Sequence, residues 1–249
     1  MDTSLVFGPV PSRRLGRSLG INHIPPKTCT YACVYCQLGR TSQLQITRQA
    51  FYAPETVAAA VTAKLALLEH VGERVDYLTL VPDGEPTLDA ALGELLLRLK
   101  PLGIPLAVIT NGSLLWQQEV RDALCQADWV SVKVDAFDEA VWHRVDRPHG
   151  GLHMASVLDG VRAFAEVFAG KLVTETMLVA GVNDAEAVLI TTGDFVGTLR
   201  PACAYLSIPT RPPAESWVHP PDEPALTRVY QRSEEQPSEL QSPNTTSYA

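Results

Sequence analysis

The sequence predicts an α/β protein of six strand-helix units, and three observations carry that reading. Short β-branched or apolar runs alternate with stretches of helical period, the mark of parallel strands joined by crossover helices. Nearly every unusual polar motif directly follows one of those strands, as active groups do at the carboxyl ends of parallel sheets. The 249 residues, 46% hydrophobic and 19% charged, suffice for one substantial core and exclude a fibrous or wholly disordered chain. Six such units make either a doubly wound open sheet or a partial TIM-like barrel, and period alone does not choose between them.

The strands are expected over 17–24 (RSLGINHI), 76–81, 104–110, 129–134, 172–180 and 202–208. Between them, apolar residues recur at three- and four-residue spacing over 54–71, 88–99, 114–127, 138–146, 152–168 and 184–199, which predicts helices. Pro54 suits a first helical position. Thr87 and Asp184 are expected to accept from the free amides that open the second and sixth helices. From Arg211 the chain turns proline-rich, with a short helical hint over 225–230. The tail 232–249 is poor in hydrophobes and rich in Ser, Glu, Gln and Pro, so disorder is expected there. It also looks like the conceptual translation of a sequencing adapter, an assembly artefact in place of a native C-terminus.

Net charge is −8, yet residues 1–50 hold Arg13, Arg14, Arg17, Lys27, Arg40 and Arg48 against Asp2 alone. This excludes a basic coat over the whole surface and leaves a local basic rim, or solvated loop arginines, as alternatives. No DNA partner is expected. No run of about 18 apolar residues occurs, and the N-terminus lacks the basic-then-apolar shape of a secretory signal. A cytoplasmic protein without a membrane partner is the expectation.

Five cysteines stand at 29, 33, 36, 125 and 203. Three of them fall within eight residues, which in a reducing compartment points to metal or iron-sulfur ligation before disulfides. Cys125 and Cys203 lie in apolar settings and are expected to be buried as small hydrophobes. The motif around Cys29, Cys33 and Cys36 is C-x3-C-x2-C, with Tyr35 just before the last cysteine. One loop can wrap these three thiolates around a compact centre, leaving one iron of a four-iron cluster open to a small molecule. The alternative is a structural zinc site, with His23 or another histidine as fourth ligand.

Further motifs follow the later strands: Pro82-Asp83-Gly84-Glu85-Pro86-Thr87, Thr110-Asn111-Gly112, Lys133-Val134-Asp135, Gly181-Val182-Asn183-Asp184 and Pro209-Thr210-Arg211. Lys133 and Asp135, two residues apart on a strand, share a face and can hold a ligand or pair with each other as a rim salt bridge. Arg211 can meet an anionic substrate or stand simply as an exposed loop arginine.

The cysteine spacing and its aromatic resemble the radical S-adenosylmethionine (radical SAM) superfamily. That resemblance implies a partial (βα)6 barrel in which Cys29, Cys33 and Cys36 ligate a 4Fe-4S cluster. It also implies that the open iron chelates S-adenosylmethionine, which is cleaved reductively to a 5′-deoxyadenosyl radical. Gly84, Glu85 and Pro86 resemble the family element that holds the methionine end, with Asp83 where the family has a first glycine. Lys133 and Asp135 correspond to the ribose side, Tyr35 to an aromatic near the adenine, and Asn111 and Asn183 to further cofactor-binding positions. A reductant such as flavodoxin or ferredoxin is implied as a partner. On this reading residues 1–211 form the core domain, 212–231 begin a C-terminal extension, and 232–249 are tail.

The opening FGPVPSRRLG with KTC and CQLGR resembles a bacterial group of iron-sulfur oxidoreductases related to the tRNA-wyosine synthases. Those synthases carry a further cysteine set ahead of the barrel, and residues 1–28 hold none. RNA or a protein therefore enters as an alternative substrate, through wyosine-like tRNA modification or glycyl-radical activation. A non-catalytic zinc or iron-sulfur binding protein is the reading outside enzymology.

Overall fold

A computed structural model describes residues 5–223 and 227. The tail over 232–249 and the helical hint over 225–230 lie outside this set, apart from Thr227. The chain opens with β1 (Val6–Ser12) and β2 (Gly16–Ile21), followed by the short β3 (Thr28–Cys29) and β4 (Gln43–Leu44). Then come α1 (Pro54–His70), β5 (Tyr77–Leu80), α2 (Leu92–Leu99), β6 (Leu106–Thr110), α3 (Gln118–Leu124), β7 (Trp129–Lys133) and α4 (Glu139–Val145). After α5 (Met154–Val167), β8 (Lys171–Met177) and α6 (Glu186–Leu199), the sheet ends with β9 (Cys203–Ser207).

The main sheet has the order β1-β2-β5-β6-β7-β8-β9. Every pairing from β2 onward is parallel, and β1 lies antiparallel on β2. The six expected strands are therefore present in sequence order across one curved sheet, with the helices as crossovers. β1 is the added element. Its two prolines and one glycine, in VFGPVPS, read as a loop by composition, and an edge strand is where a sheet tolerates proline.

The central strands β5 to β8 bury both faces, and the two faces of the sheet differ. The outer face, with Leu19, Ile21, Leu78, Leu80, Leu106, Val108, Val130, Val132 and Leu172, packs on the helices around Leu96, Leu99 and Phe164. Burying each such side chain is worth about 1.5–3 kcal/mol, so this shell supplies most of the drive to fold. The concave face holds Ala107, Trp129, Val173 and Cys203 near the amino ends of the strands. Leu15, from the turn between β1 and β2, packs among them and plugs that end.

Three local expectations need correction. Thr87 does not open α2: it sits in a single 3-10 turn, Pro86–Leu88, and α2 begins five residues later with no side-chain cap. Asp184 does not cap α6, because its carboxylate turns back to accept from the Gly181 amide at 2.8 Å. Cys125 is exposed just past the end of α3, whereas Cys203 is buried as expected. Among the described residues no helix is long and apolar enough to cross a membrane.

Candidate active site at the carboxyl ends of the strands

The cysteine motif lies in the loop that leaves β2, and its backbone is clamped on two sides. Toward β5, the Lys27 amide donates to Asp83 O at 2.5 Å and the Glu85 amide to Thr28 O at 3.0 Å. Toward α4, the Ala32 amide donates to Asp146 O and the Val34 amide to Val145 O, both at 3.0 Å. Cys29, Cys33 and Cys36 are free thiols on this clamped loop, each half-buried. Gly84 lets the loop after β5 press directly on it, since a Cβ there would stand 2.1 Å from Thr28 O.

Glu85 is buried and joins the ends of β5 and β6. Its carboxylate accepts from the Thr87 amide at 3.0 Å, Thr87 Oγ1 at 2.6 Å, Thr110 Oγ1 at 2.5 Å and the Asn111 amide at 2.8 Å. Burial pushes its carboxyl up and these donors partly offset that. The carboxylate is thus engaged within the protein, and Pro86 contributes its carbonyl, 3.2 Å from His23 Nε2. Asn111 turns its amide toward the cysteines. Nδ2 donates to Thr30 Oγ1 at 2.8 Å and lies 3.7 Å from Cys29 Sγ, while Oδ1 accepts from the Ser113 amide at 3.0 Å.

On the β7–β8 side, the Tyr35 hydroxyl donates to Asp135, whose other oxygen accepts from the Met177 amide at 2.6 Å. Asn183 donates to the carbonyls of Asp135 and Met177 at 2.9 and 2.8 Å and accepts from the Val179 amide, tying the ends of both strands together. Lys133 does not pair with Asp135 as a rim salt bridge. Its ammonium lies 4.0 Å from Glu175 and 4.9 Å above the Tyr35 ring, because β8 sets a second carboxylate beside it on the same face. Burial would lower the Lys133 amine, but Glu175 and Asp135 hold it above the ordinary lysine value, so it stays an ammonium.

Of these positions Tyr35 lies on the cysteine loop, Gly84, Glu85 and Asn111 touch it, and Lys133 and Asp135 face Tyr35. Pro86 and Asn183 bond only to neighbouring residues. The structure adds residues that the sequence left unmarked. Thr30 receives both Asn111 and Ser113. Asp146 is buried within 3.4 Å of Cys33 Sγ and 3.5 Å of the Tyr35 hydroxyl. Its carboxyl is pushed well up by burial and by Asp135. Beyond Asp138, which does cap α4 through the Val141 amide, nothing in the local pattern of this helix singled out its last acidic residue.

Burial, followed by the charge of Glu85, pushes the Cys29 thiol up to about 12, and burial with Asp146 pushes Cys33 well up. Such thiols keep their protons until a cation displaces them, as metal and cluster ligands do. Among the described residues no three His, Cys, Asp or Glu side chains close on a single-ion position. Three thiols spread along one loop, beside an amide donor and beneath a glycine pressed on their backbone, fit a cluster whose sulfurs stand on separate irons.

The fold and this loop together define a radical SAM protein, and comparison with known proteins agrees. Residues 24–191 match the Radical SAM superfamily, and the chain belongs to it. A UPF0026 protein of Methanocaldococcus jannaschii is 45% identical over 226 residues, covering 91% of this chain and 70% of that protein. A UPF0026 protein of a Synechocystis strain is 37% identical over 209 residues, covering 83% of this chain and 76% of its own length. Among solved structures, TYW1 with a lysine-pyruvate adduct bound aligns with a TM-score of 0.66 at 17% identity, covering 88% of this chain and 74% of that one. A radical SAM methyltransferase from Sphaerobacter thermophilus aligns at 0.62 and 15% identity, covering 91% and 66%. These two show the fold, a partial TIM-like barrel of mostly parallel strands.

Proposed function

We propose that the chain is a radical SAM enzyme in which Cys29, Cys33 and Cys36 ligate a 4Fe-4S cluster and the surrounding strand ends hold S-adenosylmethionine. The observation that carries this reading is the clamped cysteine loop, with the β5 and β6 loops bound to it through Thr28, Thr30 and Glu85. The cluster and S-adenosylmethionine, when bound, supply an electron-driven cleavage to a 5′-deoxyadenosyl radical that abstracts hydrogen from a substrate.

The chain's own residues do the placing. Gly84 and the Pro86 carbonyl bring the β5 loop up to the cysteines, and Asn111 directs an amide proton at Cys29. Tyr35, Asp135 and Asn183 lock the opposite wall, so the cofactor would meet a floor that does not rearrange. Lys133 offers a partly buried ammonium on that wall. A cytoplasmic reductant of the flavodoxin or ferredoxin kind would supply the electron.

RNA as substrate draws no support from four of the six early basic residues. Arg14 turns inward to Glu175, Arg17 pairs with Glu73, Arg40 pairs with Glu215, and Arg48 donates to the Thr87 and Asp89 carbonyls. They form no shared stripe.

The test is anaerobic reconstitution followed by dithionite reduction and S-adenosylmethionine. The expected result is about four irons per chain by the cluster stoichiometry, and release of 5′-deoxyadenosine. Both should be lost when Cys29, Cys33 and Cys36 are replaced by alanine. Zinc in place of iron and sulfide, or intact S-adenosylmethionine, would refute the reading.

A further inference from the structure

Below the cysteine loop the concave face of the sheet holds a cavity of about 440 Å3. That volume falls in the range of small-molecule sites. Its floor is the β1–β2 turn, with Ser12, Arg13 and Arg14, and its upper rim is Gln37 and Arg211. Gln37 follows Cys36 directly, so the cavity opens beside the cluster loop. Three arginines and one carboxylate, Glu175, line it.

Glu175 is already neutralised. It accepts from Arg14 Nη1 at 3.0 Å and from Ser207 Oγ at 2.7 Å, with Lys133 4.0 Å away. Arg14 is fixed further by stacking on the Tyr205 ring, 3.9 Å from its centre. Burial would raise the Glu175 carboxyl, but Lys133 and Arg14 draw it down to about 2, so it cannot shed its charge to accommodate an anion. Arg13 and Arg211 make no ion pair among the described residues, and Arg211 donates only to Gln37 Oε1 at 3.2 Å. The lining therefore carries two positive charges beyond what Glu175 balances. Arg13 and Arg211, both exposed at the mouth of the cavity, are thus free to take an anion.

Resting on the radical SAM reading, we infer that this cavity binds the substrate, and that the substrate is a small molecule or moiety carrying a dianionic group. Arg13 and Arg211 would grip that group, while Arg14, held by Glu175, sets the field on the inner wall. A phosphate monoester is the simplest such group, and a dicarboxylate presents the same charge. The site is too small for a folded macromolecule, so a polymer would have to insert a single residue.

The experiment is calorimetric titration of the reconstituted full chain with inorganic phosphate, succinate, acetate and glycerol. Phosphate or succinate, whichever the true group resembles, should bind at least about tenfold more tightly than acetate, as two charges on arginine outweigh one, and glycerol should not register. Arg13→Gln and Arg211→Gln, both at exposed positions, should each weaken the preferred dianion about tenfold without changing the far-ultraviolet spectrum. Glu175→Gln should tighten it, because Arg14 and Lys133 then lose their counter-charge. If Glu175→Gln unfolds the chain, the two arginine variants decide alone. Equal affinity for phosphate, succinate and acetate, or wild-type dianion affinity in both arginine variants, overturns the proposal. Dianion binding in a chain that never consumes S-adenosylmethionine would sink the radical SAM reading and leave the cavity's assignment standing as a binding site. 5′-Deoxyadenosine release without dianion binding would do the reverse.

Discussion

The side-chain amide of Asn111 lies 3.7 Å from Cys29 Sγ while its nitrogen donates to Thr30 Oγ1 at 2.8 Å. A third strand's end is thereby attached to the cysteine loop from 82 residues away. Hydrogen bonds toward ligand sulfurs make an iron-sulfur cluster easier to reduce. Asn111→Ala should therefore leave the fold intact and shift the cluster midpoint to a more negative value in a spectroscopic redox titration. An unchanged midpoint would show that the amide serves only Thr30.

Gly84→Ala tests how closely the two loops are pressed together. The added methyl would meet the Thr28 carbonyl at 2.1 Å, a backbone atom with no rotamer to yield. Denaturant unfolding should show a loss of about 1–3 kcal/mol, the range for overpacking, and iron content after reconstitution should fall with it. Wild-type stability and iron loading would mean that the loop separates freely.

His23 is fully buried, and burial, opposed by backbone hydrogen bonds at Pro86 and Ile21, brings its pKa down to about 4. The native state holds it neutral, whereas the unfolded chain takes up a proton near 6.5. Its contribution to stability is complete above that value and is lost progressively as pH falls from 6.5 toward 4. The loss should reach about 2–3 kcal/mol by linkage. His23→Gln, which can still donate to the Pro86 carbonyl, should flatten the stability profile across this window.

Asp89 has the opposite sign. Burial, offset by the Ala91 amide and by Arg48, raises its carboxyl to about 6, so its charged form costs the native state stability as pH rises from 3.8 through 6. Asp89→Asn retains an acceptor for the Ala91 amide, which now lies 2.9 Å from Oδ1. At pH 8 the variant should be more stable by on the order of 2 kcal/mol, and at pH 4 the two should coincide. A variant less stable at pH 8 would mean that the Asp89 charge is favoured where it sits.

Most of the architecture was legible because parallel strands carry their own signal. Runs such as WVSVK and LAVIT are buried on both faces and so read as continuous apolar or β-branched segments. β1 was not legible, since its prolines and glycine imitate a loop. The Thr87 and Asp184 caps were misassigned for a related reason. Both side chains have the right chemistry for a helix start, and nearer partners, Glu85 and the Gly181 amide, claimed them.

The sequence alone was enough to determine six strands in order, the clustered cysteines and their spacing, since these depend on neighbours a few residues apart. Only the tertiary structure decided that Arg14 meets Glu175 across 161 positions, that Lys133 turns to Glu175 and leaves Asp135 to Tyr35, and that Asp146 lies under Cys33. Pairings of this kind arise because sheet curvature and crossover helices bring distant strand ends to one rim. Which charge finds which partner there is settled by distance and burial, and neither quantity is written in local order along the chain.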